Sequence, residues 1–287
     1  MPITFQGCSF GYRRNRPVLH DLTFTFPTGR TVFLGVNGAG KSTVLSLAAT
    51  VRTPATGHVS HGTLRTDRRS DLRAYRRRVA WLPQQVHPVP GLTVREQVAY
   101  AGWLKGMRRG DARRQALQAL AQVEMEEFAD HRATQLSGGQ LRRVAIAQAL
   151  VHDAEVLLLD EPTAGLDLRQ RRVFQDALDQ LPPHVHAIVS THDVADVETD
   201  FEHVVVLDGG QIMFTGPVAD FLDHAPAGTP ETRRAEEASS VAWVLLPTLV
   251  VSWVMTEDRT RFAVEGYGAA AANSALEALF VPAAACA

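Results

Sequence analysis

A glycine-rich loop at residues 35–43 carries the residue types that bind phosphate groups. It fits the pattern G-x-x-x-x-G-K-[ST], and its residues are Gly35, Val36, Asn37, Gly38, Ala39, Gly40, Lys41, Ser42 and Thr43. The glycines allow the backbone to wrap closely with its N–H groups pointing inward. Lys41 can then reach the β- and γ-phosphates of a nucleotide, and the hydroxyl of Ser42 can ligate Mg²⁺. The loop therefore predicts a nucleotide-binding site.

Two carboxylates follow a buried strand farther along the chain. The run from Val156 to Leu159 is apolar throughout, which is typical of a parallel strand covered on both faces. Asp160 and Glu161 come directly after it. One carboxylate can hold Mg²⁺ while the second polarises an attacking water, as phosphoryl transfer requires. We expect Asp160 to be the metal ligand and Glu161 to activate the water.

A third motif lies between these two. Ser137, Gly138, Gly139 and Gln140 precede the helix-forming run 141–150. Serine and glycine are favoured at the start of a helix, where the backbone N–H groups lack helical partners. The motif thus predicts a capped helix N-terminus, which is a site for an anion.

The elements around the motifs indicate how they are positioned. Residues 31–34 read as a strand before the loop, and residues 42–48 read as a helix whose N-terminus faces the anion. Residues 187–190 read as another apolar strand, and His192 follows shortly after it. A lone histidine is more often a surface or structural residue, but ligands of open α/β sheets bind at the carboxyl ends of the strands. That position favours a functional role for His192.

The order of these motifs closely resembles that of the ATP-binding cassette (ABC) ATPase family, from residue 3 to about residue 222. Ser137, Gly138, Gly139 and Gln140 match the family's signature sequence one for one. In that family the signature helix contacts the γ-phosphate of ATP held by the other subunit of a head-to-tail dimer. The resemblance implies the same role for these four residues.

Four further residues stand where the family has functional groups. They are Tyr12 for the aromatic that stacks on adenine, Gln84 for the Q-loop glutamine, Asp167 for the D-loop and His192 for the switch histidine. The resemblance implies that Gln84 joins Ser42 and Asp160 around Mg²⁺, and that His192 holds the γ-phosphate and Glu161 in register. Two alternatives stay open: Tyr12 can serve as packing at the end of a hairpin, and Gln85 competes with Gln84.

The resemblance also implies a fold and a domain organisation. We expect an α/β P-loop NTPase fold of the ABC type, with a mostly parallel sheet, flanking helices and an N-terminal antiparallel sheet around Tyr12. The ATPase domain would span residues 1–225 and contain a helical subdomain at about 91–150. Residues 226–240 read as a linker and helix, and 241–287 as a small C-terminal extension. The apolar run 241–255 is too short for a transmembrane helix and contains Pro247.

The implied function is that of an ATPase subunit, with ATP and Mg²⁺, that powers an ABC transporter. Its partners would be a separate transmembrane permease subunit and a second ATPase subunit. It would lie in the cytoplasm, at the cytoplasmic face of the membrane. A loose likeness of the C-terminal segment to exporter ATPases points to efflux. The alternative is an ABC-type ATPase that acts on a cytosolic macromolecule. Transport is favoured because only 96 positions separate Lys41 from Ser137, which leaves no room for long coiled coils.

Composition narrows the remaining classes. The 287 residues carry a formal net charge of −2, so we expect no nucleic acid partner. The two cysteines lie near opposite ends and indicate no disulfide framework, and the first residues show no signal peptide. Seven arginines crowd residues 65–78, where a solvated helix face is favoured over a surface for lipid or nucleic acid.

The predicted helical subdomain has its own signals. Thr93 and Glu96 form a capping box that opens an amphipathic helix. In the family this subdomain docks against the membrane partner. Trp103, Leu104 and Met107 are candidates for that contact, although such residues at helical spacing are more often ordinary core.

Overall fold

The computed structural model of the protein describes residues 1–13, 16–192 and 201–224. The predicted linker at 226–240 and the C-terminal extension at 241–287 lie outside the described residues. The same is true of residue 225, where we placed the end of the ATPase domain. The domain boundaries therefore stay predictions.

The described residues form ten strands and seven α-helices. The strands are β1 (Ile3–Phe10), β2 (Leu19–Thr25), β3 (Arg30–Leu34), β4 (Thr56–His61), β5 (Leu64–Arg65), β6 (Val79–Leu82), β7 (Val156–Asp160), β8 (His186–Thr191), β9 (His203–Asp208) and β10 (Gln211–Pro217). The helices are α1 (Lys41–Ala48), α2 (Arg69–Arg78), α3 (Val94–Leu104), α4 (Arg109–Ala121), α5 (Gly138–Leu150), α6 (Leu168–Asp179) and α7 (Val218–His224).

The larger sheet is six-stranded in the order β10-β9-β3-β8-β7-β6. Strands β9, β3, β8, β7 and β6 run parallel, and β10 is an antiparallel strand at one edge. All five residues of β7 are buried, as the continuous apolar run predicted. Parallel sheets have both faces covered by helices, which accounts for such runs. The predicted α/β fold with a mostly parallel sheet is confirmed.

The smaller sheet is antiparallel, in the order β2-β1-β4-β5. The expected N-terminal antiparallel sheet is present, but it also takes in residues 56–65, which follow α1 in sequence. Tyr12 lies just beyond β1 rather than inside a strand. Pairing of β1 with β4 joins segments about 50 residues apart, and no local pattern predicts such a partner.

The strand order brings the motif-bearing loops to one edge of the larger sheet. Leu82 pairs with Leu159, Asp160 pairs with Ser190, and Phe33 pairs with Ser190 on its other side. The segments that follow β3, β6, β7 and β8 therefore emerge side by side at the carboxyl ends of their strands. This edge is where ligands bind in open α/β sheets.

Helices α3, α4 and α5 lie within residues 91–150, where the helical subdomain is predicted. The Thr93 side chain accepts a hydrogen bond from the Glu96 backbone, and the Glu96 side chain accepts one from the Thr93 backbone, so the capping box is present. The helices share a buried apolar core that includes Val98, Leu120 and Val144 and continues onto the sheet. None of the helices in the described ranges is long and apolar enough to cross a membrane.

Candidate functional site

The glycine-rich loop follows β3 and wraps against neighbouring backbone. A Cβ atom at Gly35 would lie 2.5 Å from the carbonyl oxygen of Leu207 in β9, so this position requires glycine. Gly40 has a φ of 109° and immediately precedes α1, a left-handed conformation that glycine adopts without strain. The loop thus presents backbone N–H groups and the N-terminus of α1 at one place, as an anion site does.

Lys41 is the cation of the loop, and it is only 5% exposed. Its Nζ donates to the carbonyl oxygens of Gly35 at 2.5 Å and Val36 at 3.4 Å. Burial lowers the pKa of Lys41, and the negative charges of Glu161 and Asp160 act in the opposite direction. The ammonium group therefore lies within the field of both predicted carboxylates.

Asp160 ends β7 and is 2% exposed. The hydroxyl of Ser190 donates to Asp160 Oδ1 at 2.6 Å. Ser190 belongs to the adjacent strand β8 and is itself fully buried. The hydrogen bond restrains the orientation of the carboxylate, because a charged acceptor binds such a donor strongly.

Glu161 has a φ of 47°, a left-handed conformation that a non-glycine residue rarely adopts. Its backbone N–H donates to the Ser190 carbonyl oxygen at 3.1 Å and to the Ser190 hydroxyl oxygen at 3.0 Å. Such backbone strain persists only where the surroundings determine it, and it is concentrated at functional sites. The strained backbone therefore marks Glu161 as a candidate functional residue.

Two predicted residues meet the carboxylate of Glu161. Gln84 Nε2 donates to Glu161 Oε2 at 2.8 Å, and His192 Nδ1 lies 3.4 Å from Glu161 Oε1. The contact is made by Gln84, whereas the sequence had left Gln85 open. Residues from the ends of β6, β7 and β8 thus converge on one carboxylate, as the motif positions led us to expect.

The signature residues form the capped start of α5. The Ser137 hydroxyl accepts from the Gln140 backbone N–H at 3.3 Å, and Gln140 Oε1 accepts from the Ser137 backbone N–H at 2.9 Å. Ser137 and Gly138 are exposed. Across the part of the chain that the structure describes, none of these hydrogen bonds reaches the glycine-rich loop. The cap faces solvent rather than the chain's own Lys41.

Asp167 lies beside the signature residues through Gln170. Asp167 is the N-cap of α6, and its Oδ1 accepts from the Gln170 backbone N–H at 2.8 Å. A Cβ at Gly139 would lie 2.6 Å from Gln170 Oε1, so the glycine permits this close approach. The structure thus places Asp167 and the signature cap on adjoining surfaces.

Tyr12 lies against the start of α1. Its hydroxyl shares a hydrogen bond of 3.1 Å with Thr43 Oγ1, and its side chain is 57% exposed. The Arg52 guanidinium lies 4.5 Å from the ring centroid, and the Phe10 ring meets it edge-on at 5.2 Å. Tyr12 therefore has packing partners and also an exposed aromatic surface beside the loop, so both interpretations from the sequence keep support.

Sequence reasoning missed two residues of the site, Ser190 and Arg142. Ser190 had a signal, because a hydroxyl ended an otherwise apolar strand next to the motif strand. Arg142 is 8% exposed and donates to backbone carbonyls at the edge of the site. It had no signal, since adjacent arginines in a helix are typical of a solvated face.

Comparison with known proteins shows which family the chain resembles. The model of the ABC transporter family matches residues 19–164. The chain is 39% identical over 212 residues to the molybdenum import ATP-binding protein ModC of Mycobacterium tuberculosis, covering 70% of this chain and spanning 58% of that relative's length. It is 36% identical over 244 residues to the nickel import ATP-binding protein NikO of Rhodobacter capsulatus, covering 80% of this chain and 93% of NikO.

Solved structures share the fold. The ATP-binding cassette MJ0796, in a dimeric post-hydrolysis state bound to ADP and Pi, is similar with a TM-score of 0.68 and 27% identity over 75% of this chain and 98% of that one. CbiO1 of Clostridium perfringens, part of the transporter complex cbiONQ, has a TM-score of 0.65 and 25% identity over 77% of this chain and 90% of that one. Motifs, fold and relatives agree: the chain belongs to the ABC transporter family.

Proposed function

We propose that this chain binds and hydrolyses ATP and thereby powers transport through a separate membrane permease subunit. The observation that carries the proposal is the convergence of Gln84 and His192 on Glu161, beside the buried Lys41 of the glycine-rich loop. Phosphoryl transfer to water needs a phosphate clamp, a positioned general base and charge stabilisation. These residues provide the first two at one edge of the sheet.

Each residue has a defined part in that reaction. The ammonium of Lys41 and the loop N–H groups bind the β- and γ-phosphates, and Lys41 then exchanges its bonds to Gly35 and Val36 for phosphate oxygens. Glu161 accepts the proton of the attacking water. Gln84 and His192 hold the Glu161 carboxylate from two sides. Tyr12 offers its exposed ring to the adenine.

The donor set at this edge fits Mg²⁺. The exposed hydroxyl of Ser42, the carboxylate of Asp160 and the amide of Gln84 supply oxygen ligands, which this ion prefers. Bound with ATP, Mg²⁺ would neutralise charge on the phosphate oxygens. Gln84 donates to Glu161 through Nε2, so its Oε1 is not used by this contact and can serve as the metal ligand.

Chelation of Mg²⁺ separates binding from hydrolysis. With excess EDTA we expect phosphate release to stop, while a fluorescent ATP analogue still binds through Lys41 and the loop N–H groups. An Asp160→Asn variant should need more Mg²⁺ for half-maximal turnover, by about 10-fold or more, because a neutral amide replaces the anionic ligand. Unchanged turnover in EDTA would contradict the proposed metal site.

We further propose that the catalytic unit is a head-to-tail dimer of this chain. The cap formed by Ser137 and Gly138 is exposed, and its hydrogen bonds run between Ser137 and Gln140 rather than to the chain's own loop. A second copy in the opposite orientation would bring its Lys41 and bound γ-phosphate to that cap. The dimeric structure of the similar cassette MJ0796 supports this arrangement.

A cleft between α2 and the end of α3 is the proposed docking surface for the permease. It has a volume of about 700 Å³ and is lined by Arg69, Leu72, Arg73, Arg76, Arg77, Trp103, Leu104, Lys105, Gly106 and Met107. The side chains of Trp103 and Leu104 are 50% and 61% exposed, so they are not the core residues that helical spacing made the default. Apolar groups beside arginines suit a helix with an apolar face and acidic residues.

Substitution in the cleft should uncouple the chain from the membrane. Leu104→Glu places a carboxylate in the apolar part of the docking surface, and we expect recovery of the tagged chain with membranes to fall about 10-fold. Leu117→Glu is the matched control, since this leucine of α4 is also exposed but lies outside the cleft. ATP hydrolysis by the isolated chain should be the same in both variants. Equal membrane recovery of both variants would contradict this docking surface.

We place the chain at the cytoplasmic face of the membrane. There the permease would present the helix, with its apolar face and acidic residues, that binds in the cleft. Similar proteins include importers, as the names of ModC and NikO state, and a bacterial Atm1-family exporter. The expected efflux direction therefore stays a prediction.

A further inference from the structure

Arg142 is a buried cation in the second turn of α5. Its Nε donates to the Pro162 carbonyl oxygen at 2.9 Å, its Nη2 to the Asp160 carbonyl oxygen at 3.4 Å, and its Nη1 to the Gln84 carbonyl oxygen. The side chain is 8% exposed. All three guanidinium nitrogens are therefore bonded to backbone, and the carbonyls belong to two chain segments, the end of β7 with the turn after it and the segment after β6.

Those carbonyls surround the proposed general base. Asp160 and Pro162 are the residues on either side of Glu161, and Gln84 is the residue whose side chain donates to the Glu161 carboxylate. The strained left-handed backbone of Glu161 needs neighbours that hold it. One guanidinium thus restrains both the turn that carries the base and the loop that contacts it.

The chemistry of this contact requires arginine. A buried cation usually has a carboxylate bonded to it, because the ion pair offsets the free-energy cost of removing the charge from water. Arg142 instead meets neutral carbonyls, and the fields of Asp160 and Glu161 reach it from a distance. The planar guanidinium of arginine spreads its donors over three nitrogens and can bridge three separate carbonyls, whereas the donors of lysine all belong to one nitrogen. We therefore infer that Arg142 fixes the positions of these carbonyls rather than adding to the stability of the fold.

We propose that Arg142 is a positioning residue for ATP hydrolysis: it holds the Asp160–Pro162 turn and the Gln84 backbone so that Glu161 faces the attacking water. The proposal rests on the proposed ATPase function. Because Arg142 does not contact the glycine-rich loop in the described structure, its loss should slow the chemical step and leave nucleotide binding unchanged. Its place on the helix capped by Ser137 also connects the signature to this chain's own base.

The neighbouring Arg143 provides a matched control. It lies on the same helix, and its Nη1 donates to the backbone carbonyl oxygens of Val123 and Glu124, each at 3.2 Å. These acceptors lie just after α4, away from Glu161. Arg143 therefore makes the same kind of bond for the packing of the helical subdomain alone.

The test compares purified Arg142→Met, Arg142→Lys and Arg143→Met with the wild type. For Arg142→Met we expect a kcat about 30-fold lower, because small misplacements of a reacting group have effects of this order, with the affinity for a fluorescent ATP analogue within about twofold. Arg142→Lys keeps the charge but not the fork, and its kcat should lie between. Arg143→Met should keep kcat within about threefold, even where its Tm falls.

A second readout uses the nucleotide-free chain, so that it does not depend on hydrolysis. Amide hydrogen exchange at residues 83–86 and 160–164 should accelerate in both Arg142 variants and stay at the wild-type rate in Arg143→Met. Exchange in these segments at the wild-type rate in the Arg142 variants, or a wild-type kcat in Arg142→Met, would overturn the positioning role. An inactive wild-type chain would instead contradict the ATPase proposal, and the exchange comparison would still decide what Arg142 holds. Should Arg142→Met fail to fold, Arg142→Lys carries both measurements.

Discussion

Replacing Glu161 by glutamine should lower ATP turnover by about 10²–10⁴-fold while ATP binding persists, because a general base contributes that much. The amide has the shape of the carboxylate but cannot accept a proton from water. Gln84 Nε2 would still find an oxygen in place of Glu161 Oε2. The glycine-rich loop and Lys41 are unchanged, so the affinity for nucleotide should remain within about threefold of the wild-type value. ATP-bound dimers should accumulate, because they do not dissociate while ATP is not hydrolysed.

Phosphate release, binding of a fluorescent ATP analogue and size-exclusion chromatography with ATP check the three parts of this result. Glu155→Gln is the control, because Glu155 precedes the same strand at its opposite end and binds His61 at 2.8 Å instead of the site residues. That variant is expected to lose stability and keep turnover. Hydrolysis at the wild-type rate in Glu161→Gln would contradict the assignment of Glu161 as the general base. Loss of ATP binding would show that the substitution damaged the fold.

The second large effect concerns two variants that should each be inactive alone. Lys41→Ala removes the buried ammonium that binds phosphate, and Ser137→Arg places a bulky side chain on the exposed cap of α5. We expect each to lower turnover at least about 100-fold. In a mixed dimer one composite site inherits both lesions and the other inherits neither. Mixing should therefore restore turnover, up to the level of one intact site in each mixed dimer.

If the two ATP sites of a dimer must hydrolyse in turn, a mixed dimer with one intact site would show no turnover. Cross-linking between introduced cysteines tests the dimer in that case, because it does not depend on turnover. Cysteines near Gly38 and Gly139 should cross-link between chains only when ATP is present. Full activity of Ser137→Arg alone would contradict the role of the cap across the dimer, and so would a cross-link that forms only within one chain.

Local patterns in the sequence predicted the parts of the site that local structure determines. The apolar run 156–159 with its terminal Asp160, the glycine-rich loop and the cap at Ser137 each depend on a few consecutive residues, and each appears where expected. The capping box of Thr93 has the same origin. Such features follow from backbone hydrogen bonding within one turn or one strand.

The contacts between distant segments could not be predicted in this way. The left-handed backbone of Glu161 depends on Ser190, which is 29 positions away, and Arg142 meets Gln84 across 58 positions. Neither residue pair shares a periodic signal. The contact of Gln84 with the Glu161 carboxylate likewise depends on the path of the loop after β6, because Gln84 and Gln85 are the same residue type.

ATP hydrolysis is proposed to occur at sites composed of two copies of this chain. The most direct test is phosphate release by the purified wild-type chain with Mg²⁺ and saturating ATP, measured from concentrations at which sedimentation shows a monomer upward. We expect the rate per chain to rise with protein concentration and to reach a plateau as dimers form, because Lys41 and Glu161 of one copy need Ser137 of the other. A rate per chain that is independent of concentration in the monomeric range, or no phosphate release at any concentration, would contradict it.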